Sequence, residues 1–352
     1  MKGNYAFETF MHEMGHAMGL KHPHEGNPMP YGQHSVEYSV MSYRSYVGAN
    51  EDGYKNQTWG YPQSLMMYDI AALQHMYGAN YNTNSGDTVY SWNPNTGEMY
   101  IDGEGQGAPG GNRIFLTVWD GGGTDTYDFS NYGTDLKVDL RPGAWTTTSV
   151  AQLAQLSQDG AHPAVGNIAN ALLHNNDSRS LIENAKGGAG NDTITGNAAA
   201  NTLWGNGGDD TLRGREGDDN LLGGPGADFL DGGAGFDFAR YDNAAAGVVA
   251  RLDDPSSNTG EAAGDRYSGI EGLVGSRFND VLVGDAARND LNGLDGNDIL
   301  IGGGGDDLLD GGAGQLRFSE HVLSGDVDGD RIADFQIEMP NVDILDSSNL
   351  YL

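Results

Sequence analysis

The chain has 352 residues, enough for two or three domains, with 50 acidic against 18 basic side chains and a net charge of −32. That balance excludes a nucleic-acid partner, whose phosphates demand a basic surface, and it disfavours anionic membranes. There is no cysteine, so thiol catalysis and disulfides are excluded, and no apolar run is long enough for a membrane span.

Asn4 to Met18 carries apolar residues at Phe7, Phe10, Met11, Met14 and Met18, the stripe of one amphipathic helix. His12 and His16 are four apart, so a helix places their imidazoles on one face, one turn apart. Glu13 follows His12 and can reach a water held between them. Gly19 stands where a left-handed residue would end the helix, His22 turns back as a third nitrogen donor, and Pro23 stops the helix from resuming. Three neutral imidazoles with one open position form a catalytic rather than structural zinc site. Downstream, Ser39-Val40-Met41-Ser42-Tyr43 supplies a methionine for an apolar floor and a tyrosine hydroxyl.

A second helix is expected from Ser64, as N-cap, to Tyr77 before Gly78, with Leu65, Ile70, Leu73 and Tyr77 in the core. From Tyr81 to Glu183 short strands and turns alternate. Arg113 to Trp119 reads as a strand, followed by the acidic, glycine-rich loop Asp120 to Asp128, whose Asp120 and Asp125 are oxygen donors of the kind calcium prefers.

Nine-residue units then begin at Gly187, Gly196, Gly205, Gly214, Gly223 and Gly232, and again at Gly275, Gly284, Gly293, Gly302 and Gly311. The first follows the G-G-x-G-x-D-x-U-x template throughout. Its eighth position recurs as Ile194, Leu203, Leu212, Leu221, Leu230, Leu282, Leu291, Leu300 and Leu309, with Ala239 as the weak member. A six-residue loop and a three-residue strand per unit, two units per coil, make a parallel β-roll. Residues 18 apart then stack at about 4.8 Å, the spacing of neighbouring strands. Asp192, Asp210 and Asp228 line one edge and Asp219 and Asp237 the other, continued in the second block by Asp280, Asp298 and Asp307. Stacked carboxylates repel unless divalent cations sit between them, so calcium is expected as part of the fold, with Gly188, Gly190, Gly208, Gly217 and Gly226 contributing loop oxygens. Asn201 and Asn289 interrupt the rows. Residues 248–274 form a strand-rich insert, and Asp326 to Asp334 resembles a D-x-D-x-D loop, but Arg331 replaces the turn glycine of an EF-hand.

The H-E-x-x-H-x-x-G-x-x-H motif with its methionine turn resembles the metzincin proteases. His22-Pro23, Tyr38 to Tyr43, and Tyr68 to Asn80 narrow the resemblance to the serralysins, secreted bacterial zinc endopeptidases with a calcium-binding C-terminal domain. The resemblance implies an α+β metzincin-like protease portion followed by an all-β domain with a parallel β-roll of nonapeptide RTX repeats. It divides the chain into 1–78, the C-terminal part of a catalytic domain; 79–186, a connecting part; 187–240 and 275–314, the roll blocks; 241–274, the insert; and 315–352, final strands and a type I secretion signal. It implies zinc on His12, His16 and His22, Glu13 as general base, Tyr43 as oxyanion donor, Met41 beneath the histidines, several calcium ions, a protein or peptide substrate, and export by a type I secretion apparatus without a cleaved leader.

Two departures from the pattern give a rival reading. Only eleven residues precede His12, leaving no room for the substrate-binding edge strand, so the chain is expected to be a fragment or mis-started copy of a longer protein, to receive that segment from a partner in trans, or to be a degenerate non-enzyme. Gly314 also runs directly into Gln315, where serralysins carry a further segment. The rival is a catalytically impaired or fragmentary calcium-binding protein, secreted or surface-bound. His24 is expected as a solvated loop residue, and His34, His75, His162, His174 and His321 as structural or exposed.

Overall fold

The computed structural model describes residues 1–26, 29–51 and 53–312, together with the backbone of strands Gln315–Ser319, Val322–Asp326 and Phe335–Glu338. The D-x-D-x-D loop beyond Asp326, His321 and the C-terminal tail lie outside the described residues. The chain divides into two compact units. One comprises Met1–Gly188 with Thr195–Ala199, and the other Ala189–Ile194 with Ala200–Leu352.

In the first unit, helix α1 spans Tyr5–Ala17, and Asn4 caps it by accepting the Phe7 amide on its side chain at 2.9 Å. Its inward face is Glu8, Met11, His12 and Gly15. The expected stripe is thus only partly right: Phe10 and Met14 are 64% and 41% exposed, because the inward-turned face is the one that carries the histidine and the small glycine. Helix α2 spans Met67–Tyr77, with Met66 at its cap and Gly78 at its end in a positive-φ conformation. The expected cap Ser64 lies outside the helix, its hydroxyl accepting the Thr117 amide at 2.8 Å. Asp69 takes over the capping, accepting the Met66 amide at 2.9 Å. Tyr77 is on the surface rather than in the core, and its hydroxyl donates to the Met18 carbonyl at the end of α1.

Short strands of two to four residues follow. The long expected strand over Arg113 to Trp119 narrows to Leu116–Val118, with Ile114 bridged to Leu153. Val89–Trp92 pairs antiparallel with Met99–Ile101 and parallel with Thr126–Asp128, which pairs in turn with Asn184–Lys186. Gly78 marks no break in packing. Met11, Leu20, Val36, Val40, Met41 and Met66 share one buried cluster with Phe115, Ala154, Leu156 and Ala164. The two helices and the strand-rich segment therefore fold as one body around a common apolar core, which drives their association.

The second unit is built on a ladder of parallel strands, followed by an antiparallel run in which Val322–Asp326 pairs with Gln315–Ser319 and with Phe335–Glu338. Leu203 stands opposite Leu221, Leu212 opposite Leu230, Leu273 opposite Leu291, Leu282 opposite Leu300 and Leu291 opposite Leu309, each pair 18 residues apart. The leucines at these positions are fully buried, apart from Leu309 at 8% exposure. The insert continues the ladder instead of interrupting it: Leu273 pairs with Ala239, Tyr267 with Leu230 and Ala250 with Leu282. Coil-to-coil packing is tight enough to dictate glycine. At Gly224, with φ +94°, a Cβ would lie 2.0 Å from the Asn206 carbonyl oxygen, and at Gly233, with φ +106°, 2.1 Å from that of Arg215.

Candidate metal centre and acidic loops

The helix geometry brings His12 and His16 together, and the turn at Gly19 returns His22 to them. Gly19 has φ +95°, and the Leu20 amide reaches back to the Gly15 carbonyl at 2.9 Å, closing the helix end. One donor atom from each histidine then lies within 4.8 Å of the other two. Each ring is anchored through its other nitrogen. His12 Nδ1 is 2.8 Å from the Val40 carbonyl, His16 Nδ1 is 3.0 Å from the Leu20 carbonyl, and His22 Nδ1 is 2.9 Å from Glu25 Oε1. Acceptors at all three positions fix the proton on Nδ1 and leave each Nε2 as a bare lone pair. His16 Nε2 and His22 Nε2 nevertheless face each other at 3.1 Å. Two lone pairs that close repel unless a cation lies between them, so the donor set fits a zinc ion. Burial pushes the His12 pKa down, favouring the neutral form.

Met41 is 1% exposed and lies beneath the histidine helix. A Cβ on Gly15 would stand 2.5 Å from its sulfur, so Gly15 is what lets the methionine approach. Tyr43 is 36% exposed, its ring 5.4 Å from that of His12 and 4.7 Å from that of His22. Glu13 is exposed, next to His12. Beside His22 a cleft of about 360 Å³ is lined in part by Leu20, Met29, Met41, Tyr68 and Ala72.

Sequence reasoning passed over Asp69. It is 2% exposed, and burial raises its pKa to about 6 despite three hydrogen bonds. It accepts Ser39 Oγ at 2.6 Å, the Val40 amide at 2.8 Å and the Met66 amide. Because the Val40 carbonyl holds His12, Asp69 fixes the methionine turn from α2, and the turn fixes the first histidine. The only signal in the sequence was an acid among apolar residues at the start of a helix.

The acidic loop after Val118 is also built as a site. Asp120 and Asp125 are 1% and 0% exposed. Asp120 accepts the Tyr90 hydroxyl at 2.7 Å, and Asp125 accepts the Thr88 amide at 2.8 Å. Glu183, which its sequence surroundings do not mark as a ligand, accepts the Asp125 amide at 2.8 Å. Burial raises Asp125 to about 8 and Glu183 to about 7, with like charges adding to the effect, and Asp125 Oδ2 is buried without a hydrogen-bond partner.

In the roll, most repeat aspartates accept the backbone amide 18 residues before them, while Asp280 accepts that of Val248 at 2.7 Å. Asp210 holds the Asp192 amide at 2.6 Å, Asp228 holds Asp210 at 2.8 Å, Asp237 holds Asp219 at 2.8 Å and Asp298 holds Asp280 at 2.8 Å. Asp219 and Asp307 do the same for Asn201 and Asn289, so the asparagines keep their place in the ladder. The second carboxylate oxygens of Asp219, Asp228 and Asp237 are buried without a partner. Gly208 packs against the Gly190 carbonyl, Gly226 against that of Gly208 and Gly235 against that of Gly217, while Gly188 lies in the first unit against the Tyr132 carbonyl. Stacked carboxylates with buried, unpartnered oxygens are hard oxygen donors of the kind calcium takes.

Comparison with known families decides the relationship. Residues 79–350 match the family model described as Peptidase M10 serralysin C terminal. The chain belongs to this family. Its mostly β structure with parallel strands is that of a serralysin C-terminal β-roll domain. It is 38% identical over 200 residues to the metallopeptidase AprA of Pseudomonas marginalis, covering 54% of this chain and 37% of that protein. It is 36% identical over 198 residues to the serralysin of Proteus mirabilis (51% and 37%), and 38% identical over 201 residues to serralysin C of Dickeya chrysanthemi (54% and 36%). The matches thus span little more than a third of these relatives, and their likeness places this serralysin-type chain in a metalloprotease family. Among the described residues no helix is long and apolar enough to cross a membrane.

Proposed function

We propose that this chain carries the zinc centre and the calcium-stabilised C-terminal domain of a secreted, extracellular metalloendopeptidase. The observation that supports it is the pair of facing Nε2 lone pairs of His16 and His22, locked by acceptors at Nδ1, with His12 completing the set. His12, His16 and His22 would hold the zinc ion, which would supply a water acidified to a pKa of about 7 and a Lewis acid for the scissile carbonyl. Glu13 acts as general base, taking a proton from the attacking water and returning it to the leaving amine nitrogen. Tyr43, with its ring against His12 and His22, donates its hydroxyl to the negative charge developing on the carbonyl oxygen. The apolar cleft beside His22 receives a substrate side chain next to the cleaved bond.

The acidic loop at Asp120, Asp125 and Glu183 and the stacked roll aspartates hold calcium in this reading, and the C-terminal segment serves type I export. Glu13→Ala should retain zinc, as measured by metal analysis, and lose casein hydrolysis by at least about 100-fold, the low end of what a positioned general base contributes. Unchanged hydrolysis in that variant would remove Glu13 from the reaction.

A further inference from the structure

Next to the three-histidine centre, a second group of donors converges that the protease reading does not use. His24, His34 and Glu51 each bring one donor atom to within 4.8 Å of the other two. His34 is 6% exposed, and its Nε2 is buried with no hydrogen-bond partner. Its Nδ1 lies 3.9 Å from Glu51 Oε1, too far for a hydrogen bond. Donors bound at ~2.0–2.2 Å in one tetrahedral shell stand roughly 3.3–3.6 Å apart, so a few tenths of an ångström of side-chain movement would close this pair on an ion. Arg44 donates to Glu51 Oε1 from Nε at 3.1 Å and Nη2 at 2.9 Å, which holds the carboxylate in position. The His24 ring is 6.2 Å from that of His34 and stacks parallel on His22 at 5.4 Å.

We propose that His24, His34 and Glu51 form a second divalent-metal site beside the three-histidine centre. Two imidazoles and one carboxylate select a first-row ion of the zinc class over calcium or magnesium, which take all-oxygen shells. The positive charge of Arg44 opposes a cation there, so this site binds more weakly than the first. His24 joins the two centres, because the ring that stacks on a ligand of one is a ligand of the other.

The test is a Co²⁺ titration of the full metal-free chain in excess calcium, which occupies the oxygen sites, with bound cobalt counted by equilibrium dialysis and followed by its visible absorption. The native chain should take up two cobalt ions in a strong and a weak step. Glu51→Gln and His24→Ala, both at exposed positions, should lose the weak step and keep the absorption of the strong one. His16→Ala should do the reverse. A single ion in the native chain, or two ions retained in both Glu51→Gln and His24→Ala, would overturn the proposal, and neither result bears on catalysis by Glu13.

Discussion

Gly15 shows how much can rest on an absent side chain. It lies between His12 and His16, where any residue would keep the spacing of the histidines, yet a Cβ there would stand 2.5 Å from the Met41 sulfur. Alanine would improve helix propensity by about 1 kcal/mol, whereas forcing atoms into a filled core costs typically 1–3 kcal/mol. Met41, at 1% exposure, has nowhere to swing, so the steric term wins. Gly15→Ala should therefore lower the thermal midpoint and weaken zinc by about 10-fold in a chelator competition, the scale expected when support for a ligand shifts. Native affinity in that variant would show that the methionine yields freely.

Among the elements, α2 supports the site without contributing a ligand. Asp69→Ala would leave Ser39 Oγ and the amides of Val40 and Met66 facing a void, at a cost of about 1–3 kcal/mol for each buried donor left unpaired. The expected outcome is a clear loss in denaturant stability together with 10–100-fold weaker zinc, and Asp69→Asn should recover part of both. Equal zinc affinity in all three proteins would place the turn's support elsewhere. The contrast between Asp69 and His12 also explains what was legible in the sequence. His12, His16, Gly19 and His22 are local, so helix geometry and one glycine turn bring them together from their spacing alone. The ladder was legible for the same reason, because a nine-residue period leaves Leu203 and Leu221 one register. Asp69 and Glu183 act on residues tens of positions away, through contacts that no local period encodes. The exposure of Phe10 and Met14 was misread because hydropathy ranks methionine and phenylalanine above a glycine whose use is to be small.

For the whole molecule, the decisive quantity is the cost of its buried acids. Burial, with neighbouring carboxylates adding to it, raises Asp219 to about 7, Asp228 to about 8, Asp237 to about 6 and, in the second block, Asp298 to about 7, all from 3.8. With folded-state values above the unfolded ones, the folded roll binds more protons than the unfolded chain between about pH 4 and 8. Without calcium its stability should fall as pH rises through that window. Circular dichroism in chelator should therefore show more strand signal at pH 5 than at pH 8, and added calcium should restore most at pH 8. A chelated spectrum independent of pH would contradict the raised values. The same rows give the roll a polarity. Asp210, Asp228 and Asp298 each bind an amide of the coil before them, so a coil is locked only once its successor has been laid down. Cutting away the coil that bears Asp298 would strip the acceptor from the Asp280 amide and leave a frayed rung, whereas a cut at the opposite end would leave every remaining amide its clasp. Assembly of this staircase thus has an arrow, and trimming from its two ends should not be equivalent.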